Sequence, residues 1–321
     1  MESKNEYQLL EEFIQSKPNL SFSGLSKYHY SPYLFYKHYV LNQKEDISGD
    51  FITKGKLLHC LVLEPEKFAE KFSLLPNKLP IDNHQVVLKM LYSRHLDDPE
   101  LLIAPLGDYQ DEIGQIMAEI DYYSAIKTDS DRGKKLILDV NEEYWNYLLT
   151  AQSKVAVSQQ DYNEILEKTQ LLNQDKVCKW LLEFTESEKE VSIPNATEFF
   201  GLRGIIDCIR VKENAKTVFV SDLKTTSKRI QDFPETVEYY NLWLQAALYY
   251  KFAKHYYPDY SVTFTFIVVD SYGVVYPFKV SESTMEQWLE RTNVLIDQVK
   301  QSFAEQNFRL PKSYINYEIF L

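Results

Sequence analysis

The sequence predicts a mixed α/β fold, with a central mixed sheet flanked by helices and a long helical block ahead of most of its strands. Three observations carry this prediction. Residues 189–226 contain three segments rich in β-branched residues, separated by short polar breaks. An aromatic-rich helical segment, 235–257, stands between them and a fourth such segment, 262–270. Residues 66–185 show helical spacing in several places, notably 108–127, 141–150 and 159–184, with polar turns between.

Taken in order, residues 1–20 read as an amphipathic helix and a proline-containing turn. In SFSGLSKYHYSPYLFYKHYV (21–40), Ser23 is placed to cap a short helix, and Ser31-Pro32 to start the next. Residues 42–53 are polar and read as loop. In TKGKLLHCLVLEPEKF, Leu57, Leu58, Leu61 and Val62 recur at helical spacing, and Pro65 stops the helix. The block 66–185 is read either as a helical insertion or as a helical layer covering a sheet. Strands follow at 189–195, 198–211 and 216–226, close enough in sequence to form an antiparallel meander. After the helix at 235–257 come strands at 262–270 and 273–280. A C-terminal helix and tail occupy 281–321, with a capping signal in Ser283 and Glu286. The core order is therefore helix, three strands, helix, strand. A chain of 321 residues accommodates about two domains, or one with a large insertion.

Composition removes several function classes. Nine glycines and no G-x-x-x-x-G-K-[ST] or G-x-G-x-x-G leave no glycine-rich nucleotide loop. Three scattered cysteines, Cys60, Cys178 and Cys208, form no C-x-x-C and fall one short of the four that usually hold an iron–sulfur cluster. No apolar run approaches the ~18 residues of a membrane helix, and the charged N-terminus does not read as a signal peptide, so an intracellular, membrane-free protein is expected. The net charge of −12 argues against a nucleic-acid coat protein, which would be basic throughout. It leaves room for carboxylates gathered around metal ions.

Two adjacent segments carry the sharpest chemistry. In SDLKTT (221–226), the period of a strand puts Asp222, Lys224 and Thr226 on one face. By itself this is most simply a surface ion pair, worth little. In GIIDCIR (204–210), Asp207 is embedded among Ile205, Ile206, Cys208 and Ile209. A carboxylate there costs several kcal/mol unless something binds it. Either Arg203 or Arg210 pairs with it, or Asp207 and Asp222 converge from neighbouring strands on a cation. Repelling carboxylates favour a cation between them, and hard oxygen donors select Mg²⁺ or Mn²⁺. The pattern D-x(14)-D-x-K then supplies the parts for phosphodiester hydrolysis: a metal that polarises phosphate and activates water, and a lysine that orients the water or offsets charge. His59 lies on the helix of GKLLHCLVL, and Gln245 and Tyr249 share a helix face at i, i+4 spacing. Taken singly, these three are ordinary helix residues.

Gly55 to His59 (G-x-x-x-H), Gly204 to Asp207 (G-x-x-D), Asp222 to Thr226 (D-L-K-T-T) and Gln245 to Tyr249 (Q-x-x-x-Y) occur in that order. This series resembles the PD-(D/E)XK nuclease superfamily. It is most similar to the RecB-like branch and, within it, to the exonuclease VIII (RecE) nuclease domain and its phage relatives. The resemblance covers residues 20–70 and 188–270. It implies a restriction-endonuclease-like αβββαβ core in a single domain, with core motifs in 53–65 and 188–280 and a mainly helical insertion at 66–185.

The resemblance also assigns roles. His59, Asp207, Asp222 and the backbone carbonyl of Leu223 would be metal ligands. Lys224 would be catalytic with Asp207 and Asp222. Gln245, Tyr249, Thr225, Thr226 and Arg203 would contact DNA or brace the site. A further acid is expected on the first core strand; Glu190 is placed there, with Glu188 and Glu186 as alternatives. The implied activity is Mg²⁺- or Mn²⁺-dependent exonuclease digestion of linear double-stranded DNA, 5′ to 3′. The alternatives are an endonuclease, a single-strand nuclease or a non-catalytic DNA-binding module of the same fold. Implied partners are double-stranded DNA ends, a RecT-like single-strand annealing protein and further copies of the chain in a ring. The setting would be the bacterial cytoplasm, for a bacterial or phage protein. The acid before the lysine is Asp222, where the RecB-like branch usually has Glu.

Overall fold

The computed structural model describes residues 5–44, 49–96, 104–151 and 154–309. Residues 45–48 of the segment read as loop, and the tail beyond 309, lie outside the described residues. The chain divides into two compact units, Met1–Gly49 with Lys168–Leu321, and Asp50–Glu167. It opens with α1 (Glu6–Gln15), the two-residue β1 (Asn19–Leu20), α2 (Phe22–Tyr30) and α3 (Pro32–Phe35). Next come α4 (Asp50–Leu63), α5 (Phe68–Lys71), β2 (Phe72–Leu74), α6 (Asp82–Arg94), α7 (Gln110–Glu119), α8 (Asp129–Gly133), α9 (Asp139–Ala151) and β3 (Val155–Val157). Helix α10 (Gln159–Gln174) contains the unit boundary and leads to α11 (Lys176–Leu182). The remaining elements are β4 (Glu186–Ile193), β5 (Gly201–Lys212), β6 (Thr217–Thr226), α12 (Phe233–Tyr239), α13 (Leu242–Tyr256), β7 (Ser261–Asp270), β8 (Val275–Lys279) and α14 (Glu282–Ala304). No helix among the described residues is long and apolar enough to cross a membrane.

The first unit is built on a six-stranded mixed sheet. β4, β5 and β6 form the expected antiparallel meander. β7 then runs parallel to β6 across the α12–α13 crossover, and β8 turns back antiparallel to β7. Parallel pairing requires such a crossover, since the chain must return to the same end of the sheet. Helix α13 is buried from Leu242 through Tyr249, and it packs on the sheet and on α14. Ala246, Ala247 and Ala253 let it come close to its neighbours. The core it shares with the sheet includes Leu202, Ile206, Ile209, Val218, Val220, Phe264 and Phe266. Gly204 on β5 is part of this fit. A Cβ there would stand 3.0 Å from Phe252 and 3.2 Å from Tyr249, both on α13.

The second unit is mainly helical. Its core gathers Val87, Leu88 and Leu91 of α6, Ile113, Ile116 and Met117 of α7, and Tyr144 and Trp145 of α9. Helices α7 and α8 approach so closely at Gly114 that a Cβ would fall 1.9 Å from the Asp129 carbonyl oxygen. Lys54 of α4 ion-pairs with Asp161 and Glu164, and these carboxylates raise its pKa to about 12.

Several local expectations are corrected. The cap of α2 is Ser21, which accepts from the Gly24 N–H, not Ser23; Ser31 and Pro32 start α3 as expected. Ser281, accepting from the Thr284 N–H, caps α14 in place of Ser283. In each case the capping residue lies just before the first helical residue, which helical spacing locates only to within about two positions. The helix expected at 235–257 is two helices, because Asn241 takes a left-handed φ of 56° between α12 and α13. Asparagine tolerates that conformation better than most residues. The block 66–185 also holds a short parallel pair, β2 with β3, that no helical pattern announced.

The β7–β8 turn hangs on one buried side chain. Asp270 accepts from the backbone N–H groups of Tyr272 and Val274 through Oδ1, each at 2.8 Å, and of Ile230 through Oδ2 at 3.1 Å. It thereby ties the turn to the segment that enters α12. Asp270→Ala would leave three donors without their acceptor. We expect it to cost about 3 kcal/mol, read as a lowered denaturation midpoint. A loss below about 1 kcal/mol would show that water replaces the carboxylate.

Candidate active site

The site forms where two neighbouring strands part. The β5–β6 ladder ends at the rung Cys208↔Ser221. On the same edge of β5, β1 begins pairing only at Leu202 and Gly201. The shared edge follows from Leu202 and Cys208, each of which also pairs with β4 on the other side. Asp207 lies in this gap and faces Asp222 by register. Its Oδ2 accepts the Leu223 N–H at 2.8 Å, so the carboxylate takes the place of a main-chain rung. Arg210 donates to the Trp180 carbonyl and to Glu183, and it lies over the Trp180 ring, while Arg203 is exposed on the strand.

Asp222 is 0% exposed, and Asp207 is 6% exposed. Among the described residues, the Lys224 ammonium is the partner shown for the Asp222 carboxylate, with Nζ 2.6 Å from Oδ2. The pairing on one strand face predicted from period two is therefore present, but it is a buried pair and not a surface one. Burial alone would lower the Lys224 pKa. The negative charges of Asp222, Asp207 and Glu188, with the Asp222 hydrogen bond, outweigh burial and raise it. The ammonium is accordingly charged at neutral pH. The same carboxylates add to burial in pushing the Cys208 thiol well above its usual range, which leaves it a poor nucleophile.

Of the three acids left open on the first core strand, Glu188 is the one that approaches the centre. Its carboxylate comes within 4.8 Å of that of Asp207. Glu188 has a left-handed φ of 46°, a conformation that costs a side-chain-bearing residue energy and gathers at functional sites. It sits between the rungs Ser187↔Cys208 and Lys189↔Ile206, directly opposite Asp207. Strict alternation breaks at this point, since Ile206 and Ile209, three apart, both join the same core. Glu186 instead accepts from Lys189 and Tyr257. Glu190 is exposed and lines a neighbouring cleft.

That cleft, of about 700 Å³, is bounded by Asn19, Ser21, Ser23, Arg203, Gln245 and Tyr249 among others. The Gln245 amide donates to the Tyr249 hydroxyl at 3.0 Å, so the two residues of the i, i+4 motif form one buried unit. Burial first, then the charges of Asp222, Asp207 and Glu188, push the Tyr249 pKa well above its usual range. The phenol remains a neutral donor. Thr225 and Thr226 continue β6 past Lys224, half-buried. His59 lies on α4 of the second unit, half-buried.

The donor set fits a divalent cation. Three carboxylates, on β4, β5 and β6, act on the one Lys224 ammonium, which offsets only one of them, and Asp222 is fully buried. Oxygen donors of this kind suit Mg²⁺ or Mn²⁺ better than softer metals.

A family profile described as the PD-(D/E)XK nuclease superfamily matches residues 19–309 of the chain. The fold is also similar to a crystal structure from Eubacterium rectale described as a candidate exonuclease. The TM-score is 0.51 and the identity 9%, over 100% of this chain and 95% of that one. At that identity the likeness is one of fold. No curated protein matches the sequence.

Proposed function

We propose that this chain, which belongs to the PD-(D/E)XK nuclease superfamily, is a metal-dependent exonuclease that digests linear double-stranded DNA from its ends. The observation that carries the reading is that Glu188, Asp207 and Asp222 all act on the Lys224 ammonium where β5 and β6 part, with the Glu188 and Asp207 carboxylates within 4.8 Å of each other. The description of the Eubacterium rectale structure as a candidate exonuclease agrees with it.

In this reading Glu188, Asp207 and Asp222 hold the metal, which when bound supplies a Lewis acid for the phosphate and lowers the pKa of a water. The Leu223 N–H fixes the Asp207 carboxylate in place. Lys224 holds Asp222 in orientation and keeps an ammonium beside the scissile phosphate, where it positions the attacking water and offsets charge as the bond breaks. The Gln245–Tyr249 pair walls the cleft with neutral donors, which approach a phosphate backbone without repelling it. Arg203 and the threonines 225 and 226 are proposed as further DNA contacts.

The resemblance set out above adds the rest of the proposal. His59 and the Leu223 carbonyl serve as additional ligands, the metal is Mg²⁺, and digestion runs 5′ to 3′ to leave a 3′ strand. A RecE-like role beside an annealing protein, a ring of several copies and a bacterial or phage setting belong to the same proposal.

The test is digestion of one plasmid in linear and covalently closed form with Mg²⁺. Loss of the linear form alone is the expected result. Cutting of the closed circle would replace the exonuclease with an endonuclease. Cleavage of neither form, with Mn²⁺ also supplied, would overturn the catalytic reading. End-labelled duplexes then decide the polarity.

A further inference from the structure

We infer that the face formed by α2, α3 and the α12–α13 junction holds an unpaired DNA strand by base stacking. This inference rests on the nuclease reading of the adjoining site and adds to it a substrate subsite outside the metal centre. Four tyrosines carry it: Tyr30 is 81% exposed, Tyr33 53%, Tyr239 76% and Tyr240 58%. Such a concentration of exposed aromatic area marks an interaction surface.

The elements that bear these rings are packed together. The Asn241 amide donates to the Ser26 hydroxyl at 3.2 Å, and the His29 ring meets the edge of Trp243 with centroids 5.6 Å apart. The residues immediately before Asn241, Tyr239 and Tyr240, are thus anchored beside α2. Tyr33 stacks on Tyr36 with ring planes 22° apart, which presets its orientation.

Charge selects the occupant. The chain carries a net −12, yet no Asp or Glu lies between Glu12 and Glu45. That stretch contains Lys17, Lys27, Lys37, Lys44, His29 and His38. Lys37 sits 6.0 Å from the centre of the Tyr33 ring, and Lys27 reaches His38 at 2.7 Å. Two of the acids near this face have partners: Glu6 accepts from the Tyr36 hydroxyl, and Glu238 pairs with Arg291; Glu235, one turn before Tyr239, is exposed. Basic groups of α2 and α3 among exposed rings, in a stretch that holds no acid, suit a phosphate backbone with bases stacking on the rings. A duplex hides its base faces, so the occupant is an unpaired strand.

Position agrees. The start of α2, at Ser21 and Phe22, lines the cleft beside the metal site, and Tyr30 ends the same helix. At ~1.5 Å per residue the platform begins about 12 Å from the cleft. The cleft and the platform therefore lie along one helix, the arrangement a strand separated at a duplex end would need.

The experiment uses the full chain with Ca²⁺ replacing Mg²⁺ and measures binding of a fluorescent oligothymidine of ~20 nucleotides. Tyr30→Ala with Tyr33→Ala, and Tyr239→Ala with Tyr240→Ala, should each weaken binding about tenfold or more. The corresponding Tyr→Phe pairs should stay within about twofold of wild type, because stacking needs the ring and not the hydroxyl. Binding of a blunt duplex should change little. Alanine pairs that bind oligothymidine as wild type does would overturn the inference. So would phenylalanine pairs as weak as the alanine pairs, or alanine pairs whose sedimentation shows loss of an oligomer, which would make the face an interface between copies. Plasmid digestion with Mg²⁺ is run on the same proteins. Intact cleavage with unchanged oligothymidine binding would remove the platform alone, and stacking-dependent binding without any cleavage would remove the nuclease reading alone.

Discussion

Lys224→Ala is expected to lower DNA cleavage by about 10²- to 10³-fold, the scale set by removing one preorganised charge donor from a transition state. Its ammonium lies 2.6 Å from Asp222, and the three carboxylates around it keep it charged. In the proposed mechanism, loss of the lysine takes this partner from both the attacking water and the charge developing on phosphate. The substitution should act on stability too, in a way that depends on metal. Asp222 is 0% exposed, and breaking a buried pair by removing one member costs about 3–5 kcal/mol. A bound divalent cation offsets the same charge, so Mn²⁺ should return most of that loss. The two effects are read separately, by cleavage of linear DNA and by denaturation with and without Mn²⁺. A variant that cleaves as fast as wild type would remove Lys224 from the reaction.

Asp222→Asn tests the ligand set without relying on turnover. The amide keeps the shape of the carboxylate, so the packing beneath the site should survive. In the metal-free protein it also removes a negative charge facing Asp207 and Glu188, which offsets part of the cost of taking the carboxylate from Lys224. Metal response should change sharply. A ligand present at a hundred times its dissociation constant stabilises a fold by about 2.7 kcal/mol, and this increment should nearly vanish. Calorimetry with Mn²⁺ should show the corresponding loss of affinity. An unchanged metal-induced rise in melting temperature would mean that Asp222 does not hold the ion, and that its pairing with Lys224 serves the fold alone.

Much of this centre was legible because strands obey a simple rule. Asp222 and Lys224 are two apart, so they share a face wherever that strand lies. Asp207 amid four apolar neighbours signalled a carboxylate with a partner, and a short hairpin put it opposite Asp222. Glu188 was not separable from Glu190 and Glu186 by the same rule. Its left-handed backbone resets the alternation, so parity counted along β4 no longer names the face. The break between α12 and α13 was hidden for a related reason. Asn241 is compatible with helix by spacing, and packing against Ser26 accompanies its left-handed turn. The β2–β3 pair was illegible because three-residue strands carry almost no period, and a parallel partner some eighty residues away leaves no local trace.

From the sequence alone came the element order of the core, the antiparallel meander, the facing of Asp207 and Asp222, and the lysine beside them. These depend on local periodicity and short connections, which any fold must respect. Only the tertiary structure decided that the Asp222–Lys224 pair is buried, that Glu188 is the third acid, and that Gln245 and Tyr249 act as one hydrogen-bonded unit. Each of these depends on how far neighbouring elements approach, and that distance is set by packing across the sheet rather than by the order of residues along it.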